Sequence, residues 1–326
     1  MIQIEDHIFS LNKAELHIHL NGLFDTSVIK EVLINEETEI PFNFDIHKDL
    51  NVLNSKRSLE AYLKPWEVLR LMPKKIENLL KLIDNAFSKL KYDNIKFVEL
   101  RSSVTYLSSL LNKSLEDTLI LLISTLNKVS FKYQINYGLI FTITRGDYSI
   151  THLSGLMLAY KNIGLPKEIV GIDLAGNEEI YVSKNLGKTF KHYKDKFDLG
   201  VTIHAGETGN IENVKLAIKE FGADRIGHGT AAGKCMETME LLVQKDICIE
   251  ICPISNRRTG AVKAKEAHPV KEFIKNNVPF IICSDNPSIH MANLSCDYLD
   301  FYNETKNIEI LNKMFEQQKK YTFIEL

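Results

Sequence analysis

Little in this chain marks it for export, for a membrane or for a polyanionic partner. Its start, MIQIEDHIFS, lacks the basic opening and apolar stretch of a secretory signal. No apolar run has the length that a bilayer crossing requires. Neither sign of charge is in excess: 40 Lys and Arg against 42 Asp and Glu leave a formal net charge of −2. That balance argues against a nucleic-acid or membrane surface. The five cysteines (Cys235, Cys248, Cys252, Cys283, Cys296) are an odd number without a C-x-x-C pair. They read as reduced, mostly buried thiols of a cytoplasmic protein rather than as a disulfide framework. No low-complexity tract and no Pro, Gly or Ser linker divides the chain, so residues 1–326 are expected to form a single domain.

What is present is apolar patterning. Hydrophobic residues make up 44% of the chain, enough for a sizeable core. Eight short apolar runs punctuate it: AELHIHL, IKFVELR, YGLIFTIT, EIVGIDLAG, GVTIHAGE, DRIGHGT, ICIEICP and PFIICSD. Several are continuously apolar rather than alternating, as parallel strands buried on both faces are. Helix-like stretches such as LLKLIDNAFSKLK, LEDTLILLISTLNKV, NVKLAIKEFG and METMELLVQ lie between them. Eight strands with intervening helices predict an α/β fold, a (β/α)8 TIM barrel. The segment at about 35–75 is too long for an ordinary connection. Its apolar and aromatic content (Phe42, Phe44, Tyr62, Trp66, Leu69, Met72) predicts a partly helical lid after strand 1. A peripheral subdomain packed on itself is the competing reading.

A barrel enzyme builds its site at the C-terminal ends of its strands. In KAELHIHLNG, His17 and His19 are two apart and share one face of a strand. Strand 5 brings His204 and Glu207 (TIHAGE), strand 6 His228 (RIGHGT) and strand 8 Asp285 (CSDNP). Three imidazoles and one carboxylate from strands 1, 5 and 8, namely His17, His19, His204 and Asp285, suit a zinc ion that keeps a further position open for water. Each residue alone has a plainer reading. The H-x-H pair is also found as solvated or core histidines, His228 as a hydrogen-bonded strand end, Asp285 as a helix N-cap and Glu207 as turn support. Their joint placement favours the metal. His7, His47, His152, His192, His268 and His290 read as surface or packing residues, His290 being the least settled.

Together KAELHIHLNG, Val98-Glu99-Leu100-Arg101, VGIDLAGNE, HAGE, RIGHGT, CPISN and SDNP resemble the adenosine deaminase family of metal-dependent hydrolases over nearly the whole length. The resemblance implies a zinc enzyme, with one Zn2+ per chain, that removes the 6-amino group of a purine. It implies His17, His19, His204 and Asp285 as ligands and Glu207 as the acid that protonates purine N1. It implies His228 as the residue that positions and helps activate the zinc-bound water, with Asp285 also accepting a hydrogen bond from that water. Gly176 matches the glycine whose backbone N–H approaches purine N3, an approach a side chain would block. The chemistry is coherent on its own terms. Zinc brings water from a pKa of about 15.7 to about 7, and burial lets a carboxylic acid keep its proton near neutrality.

Two positions depart from the common family pattern. Asn21 stands where the family's Asp accepts from a ribose 5′-hydroxyl. The neutral amide tolerates a 5′-phosphate that a carboxylate would repel, and resembles the N6-methyl-AMP deaminase branch. Asn-Gly is also ordinary turn chemistry. Asn286 replaces a second Asp facing purine N7, and its amide can donate there without any pKa shift. Adenosine is the favoured substrate, with N6-modified AMP, adenine or another adenine-bearing metabolite as alternatives. Arg101, Arg145, Arg257 and Arg258 are candidates for a phosphate contact. Strand 4 ends GIDLAGNE without the lysine that bridges two metals in binuclear relatives, which favours one ion. A non-deaminating mononuclear metal hydrolase is the reading from another class. The expected partner is a small purine nucleoside or nucleotide, not a nucleic acid or a membrane.

Overall fold

A computed structural model describes residues 4–326. Eight strands lie in chain order around one sheet: β1 Lys13–His19, β2 Ile95–Ser102, β3 Asn136–Thr144, β4 Ile169–Ala175, β5 Gly200–Ala205, β6 Arg225–His228, β7 Cys248–Ile251 and β8 Phe280–Ile282. Every neighbouring pair is parallel. The first and last strands meet just past β8. There Asp285 N–H donates to His17 C=O at 2.9 Å, and His19 N–H donates to Asp285 C=O at 3.0 Å. The sheet is thus a nearly closed (β/α)8 barrel, and its closing bonds fall on the residues expected to bind metal.

Helices fill the crossovers. The helix Leu115–Tyr133 starts where Ser114 accepts from Asp117 N–H and stops at a left-handed Gln134. The stretch expected as one helix from Asn213 is an α-helical turn, Ile211–Leu216, followed by a π-helical segment, Ala217–Phe221. It ends on Gly222 at φ 64°.

The barrel interior departs from the usual layers of branched apolar side chains. Glu99, Arg101, Asp173, Thr202, Arg225 and Glu250 are all at most 1% exposed. They neutralise one another: Glu250 of β7 accepts from Arg101 of β2, Arg225 of β6 and Thr202 of β5. At the barrel end remote from the strands' C-termini, the Arg225 guanidinium stacks on Phe323, and Phe323 N–H donates to Glu99.

The inserted segment is less helical than expected. Between Asn35 and Ile76 it contains only two four-residue helices, Leu59–Tyr62 and Trp66–Leu69. Asp45 caps a turn by accepting from His47 N–H, and Pro41, Pro65 and Pro73 interrupt helical runs. The segment packs by Phe44, Leu50, Val52, Tyr62, Leu69 and Met72, all buried. Val52 N–H donates to Ile289 C=O and Lys56 N–H to Arg258 C=O, both at 2.8 Å, which pins the segment to the short helices after β8 and β7. Among the described residues no helix is long and apolar enough to cross a membrane, and the five cysteines are unpaired.

Candidate metal centre

His17 and His19 sit two apart at the end of β1, His204 near the end of β5, and Asp285 in the turn after β8. Nε2 of His204 lies 3.1 Å from Nε2 of both His17 and His19. Oδ1 of Asp285 is 3.7 Å from His17 Nε2 and 3.5 Å from His19 Nε2. Four ligands held about 2.1 Å from a common tetrahedral centre lie about 3.4 Å apart. These four of the six ligand–ligand spacings bracket that edge length.

The hydrogen bonds behind the rings give an independent reason to place a cation there. His17 Nδ1 is 2.8 Å from Glu250 Oε2, and His204 Nδ1 is 2.9 Å from Asp173 Oδ1. Burial alone would raise both carboxyl groups. Arg101 and Arg225 hold Glu250 well below the usual range, while His204 and Arg101 hold Asp173 below it. Ionised carboxylates only accept, so each Nδ1 carries a proton, and in the neutral rings that metal ligation requires each Nε2 presents a lone pair. Two such lone pairs facing each other at 3.1 Å repel unless a proton or a metal ion lies between them. Burial pushes His19 down to about 3, so this imidazole is neutral and free to ligate. Gly227 belongs to the same design: a Cβ there would stand 2.9 Å from His17 Cε1.

Glu250 and Asp173 escaped the sequence reading because each is one charge inside an apolar strand run. Arg101, a phosphate candidate, lines the cavity described below and turns one terminal nitrogen to Glu250 and Thr202 inside the barrel. Arg257 binds the carbonyls of Lys263 and Glu266 together with Glu304, and does not line the cavity described below. Arg145 does line it; one of its terminal nitrogens donates to His204 C=O, and its Nε has no partner among the described residues. Arg258 is absent from the lining, and its backbone carbonyl holds the inserted segment.

Glu207 and His228 flank the cage. Glu207 is 7% exposed, and its Oε1 has no hydrogen-bond partner among the described residues. Burial, then the charges of Asp285 and Glu178, push its carboxyl group well above the usual range. Glu178 holds the loop that carries it by accepting from Gly206 N–H and Thr208 N–H. His228 Nε2 lies 3.7 Å from Glu207 Oε2. His228 also brings a donor atom within 4.8 Å of donors from His17, His204 and Asp285, while His19 groups with His204 and Asp173. Burial and then His17 press its imidazole well below the ordinary value. His228 and Asp285 both hold left-handed backbone, φ 65° and 61°, a conformation non-glycine residues take when their surroundings compel it. Asp285 caps no helix. Its Oδ2 accepts from Ser255 at 2.7 Å, with Tyr62 Oη at 3.4 Å.

These residues open into a cavity of about 400 Å³, within the range of small-molecule sites. Asn21, Gly176 and Asn286 line it together with His19, His204, Glu207, His228 and Asp285. Tyr62, Trp66, Leu69 and Arg70 of the inserted segment form a wall of the same cavity. Gly176 has φ 98°, which a side chain would strain. Asn286, expected to donate to a base nitrogen, donates from Nδ2 to Tyr62 Oη at 3.0 Å and leaves Oδ1 unpartnered among the described residues. That oxygen is pressed onto Gly22, where a Cβ would come within 2.0 Å of it. Tyr62, Ser255, Asn256, His268 and His290 were not among the expected site residues. Tyr62 Oη lies 2.8 Å from His290 Nε2, which draws that histidine to the site's edge.

The family model described as adenosine deaminase matches residues 12–310. An adenosine deaminase of Clostridium acetobutylicum is 30% identical over 313 residues, covering 93% of this chain and 90% of that protein. Among solved structures, an N6-mAMP deaminase of Arabidopsis superposes with a TM-score of 0.82 at 23% identity, over 98% of this chain and 96% of the other. An adenine deaminase of Arthrobacter aurescens gives 0.84 at 18% identity, over 96% and 94%. The two solved structures speak for the fold.

Proposed function

The chain belongs to the adenosine deaminase family, hydrolases of C–N bonds in cyclic amidines, and on that premise we propose that it deaminates a 6-aminopurine, adenosine being the favoured substrate. The observation that carries this reading is the pairing of the cage with a buried, partnerless carboxyl oxygen on Glu207, both facing one cavity. His17, His19, His204 and Asp285 are the proposed ligands. A zinc ion held by them supplies Lewis acidity, bringing a water from a pKa of about 15.7 to about 7.

The chain's own groups do the rest. Glu207, kept protonated by its dry surroundings, gives its proton to purine N1 and so draws electrons from C6. Asp285 accepts a hydrogen bond from the attacking water, and His228 orients that water. The water oxygen bonds to C6, the C6–N6 bond breaks, and the amine leaves as ammonia with the protons that the water and ring surrender. Water and 6-aminopurine become 6-oxopurine and ammonia. Gly176 offers its backbone N–H to purine N3. Residues 35–75 act as the lid of a one-domain enzyme.

A second reading, a nucleotide substrate such as N6-modified AMP, is favoured by one feature. Asn21 puts a neutral amide where a carboxylate would repel phosphate, and Arg70 and Arg145 line the same cavity. Adenosine, adenine, AMP and N6-methyl-AMP offered to metal-analysed protein, with the ultraviolet shift toward the 6-oxopurine followed, separate the two. Turnover led by adenosine is expected. Rates confined to nucleotides would replace adenosine with AMP-type substrates, and no conversion of any of the four would remove the deaminase reading.

A further inference from the structure

Behind His228 runs a line of three buried hydrogen bonds that leads away from the site. His228 Nδ1 lies 3.0 Å from Asn256 Nδ2, Asn256 Oδ1 lies 3.1 Å from His268 Nε2, and His268 Nδ1 lies 3.1 Å from Val270 backbone N. All four residues are at most 4% exposed. The direction of the whole line follows from its last member. A backbone N–H can only donate, so His268 Nδ1 must be the acceptor. Burial presses His268 down to about 3, so the ring is neutral and its single proton sits on Nε2. That N–H needs an acceptor, which turns the Asn256 amide with Oδ1 toward His268 and Nδ2 toward His228. The amide then donates to His228 Nδ1, and a neutral His228 has its proton on Nε2, the nitrogen nearest Glu207 and the cavity.

We infer that Asn256 and His268 are positioning residues that lock His228 into the Nε2–H tautomer, so that it meets the attacking water as a hydrogen-bond donor and not as a proton acceptor. Its partner in this is Asp285, whose carboxylate accepts from the water. One donor and one acceptor on a single water define its orientation more tightly than two acceptors would. The opposite tautomer would turn a lone pair on His228 toward the water's lone pairs. The catalytic consequence rests on the deaminase reading; the tautomer itself does not.

The test has two arms. In zinc-free protein labelled with 15N at histidine, His228 is assigned by its loss in His228→Gln, and two-bond proton–nitrogen spectra report which ring nitrogen is protonated. The expected signature is a pyrrole-type Nε2 and a pyridine-type Nδ1. The reverse pattern in the unsubstituted protein overturns the inference whatever the protein's activity. In the kinetic arm, Asn256→Asp keeps the shape but replaces the donor with a carboxylate that only accepts, which forces the proton onto Nδ1. A misplaced tautomer in a hydrolytic site costs on the order of 10²–10⁴ in kcat. The expectation is a loss in that range, with KM within about threefold and zinc content unchanged. His268→Ala lets the amide turn and lowers kcat by about tenfold, whereas His268→Gln, whose amide N–H replaces the donated bond, restores it. Unchanged kcat in a folded Asn256→Asp protein, or equal loss in both His268 variants, overturns the positioning role. If Asn256→Asp does not fold, the spectrum of the unsubstituted protein and the His268 pair still decide. Failure of the deaminase reading would show separately, as no 6-aminopurine turned over by the unsubstituted, zinc-loaded protein.

Discussion

A carboxyl group that must keep its proton near neutral pH needs a dry place, and Glu207 has one: buried, with a partnerless oxygen and two other carboxylates whose charges oppose its ionisation. The sign of its effect on rate follows. The acid form persists above the usual carboxyl range, so kcat falls as pH rises through the elevated pKa, and this limb is absent from Glu207→Gln. That variant is expected to retain its metal, measured by elemental analysis, and to lose between about 10² and 10⁴ in turnover. A near-native rate would take Glu207 out of the chemistry. The residues expected to carry the reaction were legible because each ends a strand run with a chemically loud side chain: H-x-H, HAGE, GHG, SDN. Glu250, Asp173, Asn256 and His268 were not. They act through groups up to 233 positions away, as Glu250 does through His17, and local spacing carries no trace of such partners.

The eight strands stood out as elements because parallel strands buried on both faces are short, apolar and bounded by turns. Their observed limits fall within a few residues of the runs. The inserted segment was harder to read. Its aromatic content suggested helix, but what its apolar side chains cover is the barrel mouth, and turns and prolines let them reach it without regular structure. Whether it moves is a question for Trp66, the one tryptophan. Trp66 lines the cavity and packs 5.8 Å, ring to ring, from Tyr62, which is itself bonded to Asn286. Binding of a purine riboside is expected to change its fluorescence, and Tyr62→Phe, by freeing the segment from Asn286, to raise KM more than it lowers kcat. An unchanged signal at saturating ligand would contradict closure of the segment over substrate.

As a whole molecule, the protein keeps several buried imidazoles neutral, His19 and His268 among them, and that has a consequence for stability in acid. His268 is held near 3 by burial, while an unfolded histidine titrates near 6.5. The unfolded chain therefore takes up a proton that the folded one refuses. This contribution is present in full above about pH 6.5 and is lost as pH falls toward 3, amounting to about 2 kcal/mol between pH 7 and pH 5. Urea unfolding at the two pH values should show a smaller acid loss for His268→Gln, by roughly that amount; equal losses would contradict the buried neutral ring. The barrel's closure at the bonds joining His17 and His19 to Asp285 brings the two chain regions that carry the ligands together, and the account depends on a cation at that join. The most direct test is to deplete the protein of metal and titrate zinc back while adenosine turnover is followed. Turnover is expected to rise from near zero and level off at one equivalent per chain. Full turnover in metal-free protein, or a site that stays inactive toward every 6-aminopurine after binding its zinc, would contradict it.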